Sequence, residues 1–176
     1  MTLAEGLTLI LGGARSGKSR HAEELAEGSN LEPVYIATAQ DFGSDGEMAA
    51  RIAHHRARRG GIWRDMEVPL ELGSTIRAEA APKRVLLVDC LTLWLTNLML
   101  AGRDVDAEAE ALAALFDHPP AGPVILVSNE VGLGIVPDNR MARDFRDHAG
   151  RLHQRLAQKA ERVLFVAAGL PLVLKG

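Results

Sequence analysis

Residues 7–19 read Leu7-Thr8-Leu9-Ile10-Leu11-Gly12-Gly13-Ala14-Arg15-Ser16-Gly17-Lys18-Ser19, and this stretch decides the fold. Leu7 to Leu11 is a short apolar run of the length and composition of a buried strand. The next eight residues fit G-x-x-x-x-G-K-[ST] in full. Glycines let the backbone curl so that successive N–H groups point inward at phosphate oxygens, and a following helix adds the positive end of its dipole. Lys18 brings a mobile point charge to the β and γ phosphates, and Ser19 brings a hydroxyl suited to Mg²⁺. A glycine-rich turn without function is a poor account of a complete motif between a strand and a helix. The chain is therefore expected to hold ATP or GTP on residues 12–19.

Working outward, similar apolar runs recur at Val34 to Thr38, Val85 to Asp89, Val124 to Ser128 and Val163 to Ala167, separated by helical patterns. Such alternation implies a mostly parallel sheet covered by helices on both faces. After the last run come Gly169 and then Pro171 to Lys175, too short a gap for a crossover helix, so an antiparallel hairpin is expected at the C-terminus. From Asn139 to Glu161, Met141, Phe145, Ala149, Leu152, Leu156 and Ala160 recur at helical spacing and mark a face packed on the sheet. Leu91 to Leu100, with Trp94 and Met99, is apolar all round; an interior core helix and a subunit contact fit it equally. Gly102 to Glu110 is acidic and reads as a surface loop entering a short helix.

With 176 residues, 47% of them hydrophobic, and no internal repeat or linker, residues 1–176 are expected to form one domain. The net charge of -3 argues against a nucleic-acid partner or an anionic membrane surface. Leu91 to Ala101 is too short and too interrupted, at Thr92, Thr96 and Asn97, to span a bilayer. The lone Cys90 forms no internal disulfide, and the N-terminus lacks the order of a signal peptide, so a cytoplasmic location is expected.

Three further features carry chemistry. Val85 to Asp89 is an apolar strand ending in a carboxylate, at the sheet edge where ligands of open α/β folds gather. Asp89 alone fits an N-cap for the helix from Thr92 as well as a Mg²⁺ ligand; beside a complete phosphate loop, the metal role is expected. After Val124 to Ser128 comes Asn129-Glu130-Val131-Gly132-Leu133-Gly134, in which Glu130 serves equally to orient a nucleophile or magnesium-bound water, or to brace its loop. Finally, Asp45 to Arg59 reads as a helix opened by Ser44 or Asp45. Met48, Ile52 and His55 fall near one face, and His54 aligns with Glu47, Arg51 and Arg58 on the polar side. Arginines beside a neutral imidazole permit attack on phosphorus. A solvated basic face with incidental histidines is the simpler reading of those residues alone. His21, His118, His148 and His153 show no metal-ligand spacing with one another or with Cys90, and no chemistry is assigned to them.

Together these segments resemble the bifunctional adenosylcobinamide kinase and adenosylcobinamide-phosphate guanylyltransferase family of cobalamin biosynthesis. The likeness is carried by Gly12 to Glu23, Tyr35-Ile36-Ala37-Thr38, Glu47-Met48-Ala49-Ala50-Arg51-Ile52 with His54-His55, and Ser128 to Pro137, and it extends over essentially the whole chain. The second half of that set is what distinguishes the family from other phosphate-loop proteins. The resemblance implies a RecA-like P-loop NTPase fold, α/β with a C-terminal antiparallel hairpin, and a homotrimer. It implies phosphorylation of adenosylcobinamide by ATP or GTP, then transfer of GMP from GTP to adenosylcobinamide phosphate through a guanylyl-histidine at His54. It also implies nucleotide contacts from Gly12, Gly13, Ala14, Arg15, Ser16, Gly17, Lys18, Ser19, Ala37, Thr38, Ala39, His55, Arg56, Ala57, Arg58, Glu67 and Asp89. Lys18 and His54 would be catalytic, with Mg²⁺ on Ser19 and Asp89.

The chain departs from the family pattern at Ala39, where a small hydroxyl residue is usual, at His153, where Asn is expected, and at Leu170-Pro171-Leu172, which replaces a more glycine-rich hairpin. Two rival readings use the same phosphate loop. A simple small-molecule kinase would transfer γ-phosphate and retain no GMP, and a RecA-like ATPase or regulatory module would act on a partner.

Overall fold

The computed structural model describes residues 2–39 and 61–176. In chain order the elements are β1 (Leu7–Gly12), α1 (Lys18–Glu27), β2 (Glu32–Ala37), β3 (Arg64–Glu67), α2 (Leu72–Glu79), β4 (Arg84–Asp89), α3 (Leu91–Leu100), α4 (Val105–Ala114) with a 3-10 turn at Leu115–Asp117, β5 (Val124–Asn129), α5 (Arg140–Lys159), β6 (Arg162–Ala167) and β7 (Leu170–Lys175). The helix expected over Asp45 to Arg59 lies outside the described residues.

The strands form one seven-stranded sheet in the order β3-β2-β4-β5-β1-β6-β7. Every pairing is parallel except β6 with β7, which is antiparallel as the short connection requires. The alternation of side chains along each strand divides the core in two. Leu7, Leu9 and Leu11 of β1, with Leu86, Val88 and Leu126, pack against α2, α3, α4 and α5. Ile10, Leu87, Ile125, Val127 and Val166 face the other way, onto Ala22, Leu25 and Ala26 of α1.

β3 carries no apolar pattern. It reads Arg-Asp-Met-Glu and, among the described residues, pairs only with β2, so as an edge strand there it owes its place to ladder hydrogen bonds more than to burial. α3 is buried inside this chain, with Leu91, Trp94, Leu95 and Leu98 all in the core, so the interior alternative accounts for its composition. The acidic segment is mostly helix: α4 begins at Val105, and the Asp104 side chain caps it by accepting from the Ala107 amide at 3.0 Å. α5 is likewise capped by Asn139, which accepts from the Ala142 amide at 2.8 Å. Its packed face runs through Ala149, Leu152, His153 and Leu156. Met141, expected on that face, is exposed: the buried positions of α5 begin at Ala149.

Leu95 is fully buried at the middle of α3. Truncating it to Ala is expected to lower stability by about 2–5 kcal/mol, the range for cavities of this kind. Urea titration checks this: the midpoint should fall while the slope stays constant, since the same surface is exposed on unfolding.

Candidate active site

The phosphate loop leaves β1 at Gly12 and enters α1 at Lys18. Backbone contacts from two neighbouring strand ends hold it. The Glu130 amide, just beyond β5, donates to the Gly12 carbonyl at 2.9 Å, and the Gly169 amide, in the β6–β7 turn, donates to the Ser16 carbonyl at 2.8 Å. Two glycines are demanded by this crowding. A Cβ on Gly12 would lie 2.5 Å from the Val166 carbonyl oxygen and 2.6 Å from Ser16 Oγ. Gly17 has φ +96, and a Cβ there would lie 3.1 Å from Gly169 Cα. Gly17 also caps α1 without any side-chain acceptor, so the first amides of that helix are left for an anion.

Lys18 is nearly buried, and its Nζ donates to the Gly13 carbonyl at 3.0 Å. Burial pushes its pKa below the ordinary 10.5, while the Asp89 carboxylate and, less strongly, Cys90 oppose that shift. Ser16 Oγ is buried in the loop with no hydrogen-bond partner among the described residues. An unpaired hydroxyl inside a curl of backbone amides fits a site completed by a phosphate oxygen.

Sheet register gathers the remaining residues. Ala37 at the end of β2 stands between Glu67 of β3 and Asp89 of β4, so these three form one row at the carboxyl edge. Asp89 is not a helix cap: Cys90 holds that position, and the Asp89 carboxylate accepts from the Tyr35 hydroxyl at 3.1 Å. The Thr38 side chain is fully buried. Its hydroxyl donates to the Cys90 carbonyl at 2.7 Å and accepts from the Cys90 amide at 3.0 Å, which ties the end of β2 to the end of β4. Asn97 of α3 braces the same corner, donating to the carbonyls of Thr38 and Pro69. Ala39 follows directly, partly exposed. Ala14 and Arg15 are exposed at the tip of the loop, and Ser19 is partly exposed in the first turn of α1. Ser19 and Asp89 offer the oxygen donors that Mg²⁺ requires. His54, His55, Arg56, Ala57 and Arg58 lie outside the described residues.

Glu130 braces its own loop. Its Oε1 accepts from the Gly132 amide, and its Oε2 lies 3.9 Å from His153 Nδ1 of α5. His153 stands out in the sequence only as a departure from the family pattern; its neighbours, like the Tyr35 contact, depend on elements far apart in sequence meeting at one sheet edge.

An anion cradle at the end of the first strand, a lysine folded over it and a carboxylate on a nearby parallel strand define a P-loop nucleotide-dependent enzyme of the RecA-like type. The sequence matches the family described as cobinamide kinase / cobinamide phosphate guanyltransferase over residues 8–174, and the chain belongs to that family. It is thus a bifunctional transferase with a kinase and a guanylyltransferase activity. It is 58% identical over 170 residues to the bifunctional adenosylcobalamin biosynthesis protein CobP of Pseudomonas aeruginosa, covering 96% of each chain. It is 45% identical over 184 aligned positions to the CobU protein of Salmonella typhimurium, covering 96% of this chain and 99% of that one. Among solved structures, the flagellar accessory protein FlaH of Methanocaldococcus jannaschii matches with a TM-score of 0.55 at 14% identity, over 98% of this chain and 80% of that one. The RadB recombinase matches with a TM-score of 0.53 at 15% identity, over 93% and 75%. These two likenesses concern the RecA-like fold alone.

Because folding lowers the Lys18 pKa, the unfolded state binds more protons between the folded value and 10.5, and stability attributable to this group rises with pH through that window. Below the window the cost of burying the charge is fully present. Lys18→Met is therefore expected to melt no lower than wild type at pH 7, yet to bind GTP roughly tenfold to a hundredfold more weakly, as loss of a hydrogen bond to a charged group implies. Calorimetric titration beside thermal melting checks both halves.

Proposed function

We propose that both transfers run on the cradle of residues 12–19, with ATP or GTP as donor, and that the line of attack decides the product. In the kinase step the triphosphate lies along the loop amides with Lys18 at its β and γ phosphates. A hydroxyl of adenosylcobinamide attacks the γ phosphorus, the bond to the β-phosphate oxygen breaks, and the nucleoside diphosphate leaves. In the guanylyl step an imidazole nitrogen of His54 attacks the α phosphorus of GTP, and pyrophosphate leaves as the P–N bond forms. A phosphate oxygen of adenosylcobinamide phosphate then attacks the same phosphorus, the P–N bond breaks, and adenosylcobinamide-GDP is released with His54 restored. Covalent capture divides one difficult transfer into two and lets pyrophosphate leave before the bulky acceptor reacts.

The observation that carries this reading is the complete phosphate loop, pinned between two strand ends beside Asp89, in a chain of this family. Mg²⁺ would sit on Ser19 and Asp89, where it neutralises phosphate charge when bound. Lys18 and arginines of the loop and of residues 51–59 stabilise the charge that spreads over the transferring phosphorus. Ala37, Thr38, Ala39, His55, Arg56, Ala57, Arg58 and Glu67 would line the nucleotide, with Thr38 contributing backbone atoms because its side chain is buried.

Homotrimeric assembly belongs to the same proposal. Among the described residues β7 is an edge strand on which Leu170, Leu172, Val173 and Leu174 are exposed, and an apolar edge of that kind favours a protein partner. Among the described residues no helix is long and apolar enough to cross a membrane. With Cys90 buried and free, that supports a cytoplasmic enzyme.

Incubation with α-labelled GTP should leave acid-labile, base-stable label on the protein, as a phosphoramidate requires. His54→Ala should take up none while still phosphorylating adenosylcobinamide. Equal labelling of the two proteins would remove His54 from the scheme, and γ-transfer without retained GMP in the wild type would leave only a simple kinase. For assembly, Leu172→Lys should shift the molecular mass measured by light scattering from trimer towards monomer.

A further inference from the structure

Asn129 ends β5 at the point where the sheet meets the phosphate loop. β5 runs between β4, which presents Asp89, and β1, which feeds the loop. In register, Asn129 stands beside Gly12, and Asp89 stands beside Val127, two residues earlier on β5. Ile125 and Val127 lie in the core beneath α1, so Asn129, two residues on, takes the same face. Ile10 and Leu87 lie in that core as well, which puts Gly12 and Asp89 on that face too. Gly12 brings no side chain to the row. The Asn129 carboxamide thus lies between the start of the phosphate loop and the Asp89 carboxylate.

One end of that carboxamide is fixed. Nδ2 donates to Thr92 Oγ1 at 2.8 Å, and Thr92, in the first turn of α3, is itself buried with its hydroxyl 3.0 Å from Cys90 Sγ. With its nitrogen clamped, the side chain is held in one orientation. The other end is open. Oδ1 has no hydrogen-bond partner among the described residues, and Asn129 is only partly buried. Thr38, Cys90, Thr92 and Asn97 find partners in this corner, which leaves the Asn129 carbonyl oxygen for a ligand.

Lys18 marks which part of a triphosphate comes here. The lysine of such a loop reaches the β and γ phosphates. The Lys18 amine is close enough to Asp89 for that carboxylate to oppose the effect of burial on its pKa. Asn129 therefore stands at the γ end of the cradle. Phosphate oxygens are acceptors themselves and repel a carbonyl oxygen, whereas a hydroxyl can donate to it.

We propose that Asn129 is a catalytic residue of the kinase step: its Oδ1 accepts from the hydroxyl of adenosylcobinamide and aims that oxygen at the γ phosphorus. Thr92 is the positioning residue that holds the amide. As the new O–P bond forms, the hydroxyl proton passes to a γ-phosphate oxygen, and the β–γ bridging bond breaks to release the nucleoside diphosphate. The amide orients the nucleophile without taking its proton. The guanylyl step, in which an imidazole attacks the α phosphorus, has no use for this contact. The assignment rests on residues 12–19 holding the triphosphate as in the proposed function.

Asn129→Ala and Thr92→Val are compared with wild type for γ-transfer to adenosylcobinamide, for the rate of α-label uptake from GTP, and for Tm. In Asn129→Ala the kinase kcat should fall roughly tenfold to a hundredfold with the nucleotide KM within about twofold, because the lost contact is to the nucleophile. The ratio of kinase rate to label uptake should drop by about tenfold or more, which a merely structural role would not produce. Thr92→Val keeps the shape of the buried side chain and removes its hydroxyl. It should move the same ratio in the same direction by about threefold or more, and it decides the matter if Asn129→Ala does not fold. A kinase kcat in Asn129→Ala within about twofold of wild type, or a fall shared equally by the two transfers, would overturn the proposal. Wild type separates the underlying reading: if it moves no γ-phosphate to adenosylcobinamide, the cradle itself is misread. If it does and the ratio is unchanged in both variants, only the role of Asn129 fails.

Discussion

Two backbone hydrogen bonds hold the phosphate loop: Glu130 amide to Gly12 carbonyl, and Gly169 amide to Ser16 carbonyl. A loop whose amides are to point at a ligand has few to spare for itself, so apart from the Ser16 amide on the Gly13 carbonyl at 3.3 Å its support comes through its carbonyls. Both supporting amides come from strand ends on either side of β1, since β5 and β6 are its two neighbours in the sheet. Fixing the loop before the ligand arrives is what lets its dipoles act without reorganisation during transfer. The close approach also explains the glycines, because Gly12 and Gly17 sit where any Cβ would strike backbone of β6 or of the turn that follows it.

The other side of the site depends on a different device. Asp89 is presented by β4, and the corner around it is filled with polar groups that satisfy one another: Thr38 bridges to Cys90, Asn97 bonds the carbonyls of Thr38 and Pro69, and Asn129 donates to Thr92 Oγ1 at 2.8 Å. Buried polar groups are costly when unpaired, and a fully connected set is rigid. Three strand ends and the start of α3 are joined there beneath the row of Glu67, Ala37 and Asp89. The cradle and this corner lie at the same edge because parallel strands all deliver their carboxyl ends to one side of the sheet.

Under the proposed scheme, a single cradle serving two transfers is economical for a physical reason. Both reactions develop negative charge on phosphate oxygens, and neither needs the protein to supply much beyond position and positive charge. What differs is which phosphorus the nucleophile meets in line. That choice depends on where the acceptor hydroxyl and the imidazole stand relative to a triphosphate that need not change its seat.

The strand runs at residues 7–11, 34–38, 85–89, 124–128 and 163–167 were legible because buried parallel strands are apolar on both faces, and the terminal hairpin followed from a connection too short for anything else. β3 and α2 were not legible, since Arg-Asp-Met-Glu has no apolar period and α2 spans only eight residues. The phosphate loop was read whole because its eight residues are contiguous and each is constrained by the same ligand. Local order in the chain likewise sufficed for the buried face of α5 through Ala149, Leu152 and Leu156, though not for Met141. The order β3-β2-β4-β5-β1-β6-β7, the contact between Tyr35 and Asp89, and the meeting of His153 with Ser128 and Glu130 were decided only by tertiary structure. Contiguous residues report the interactions they make with one another or with a common ligand. Which strand ends become neighbours is set by how all the apolar faces are buried at once, and no short stretch of sequence contains that information.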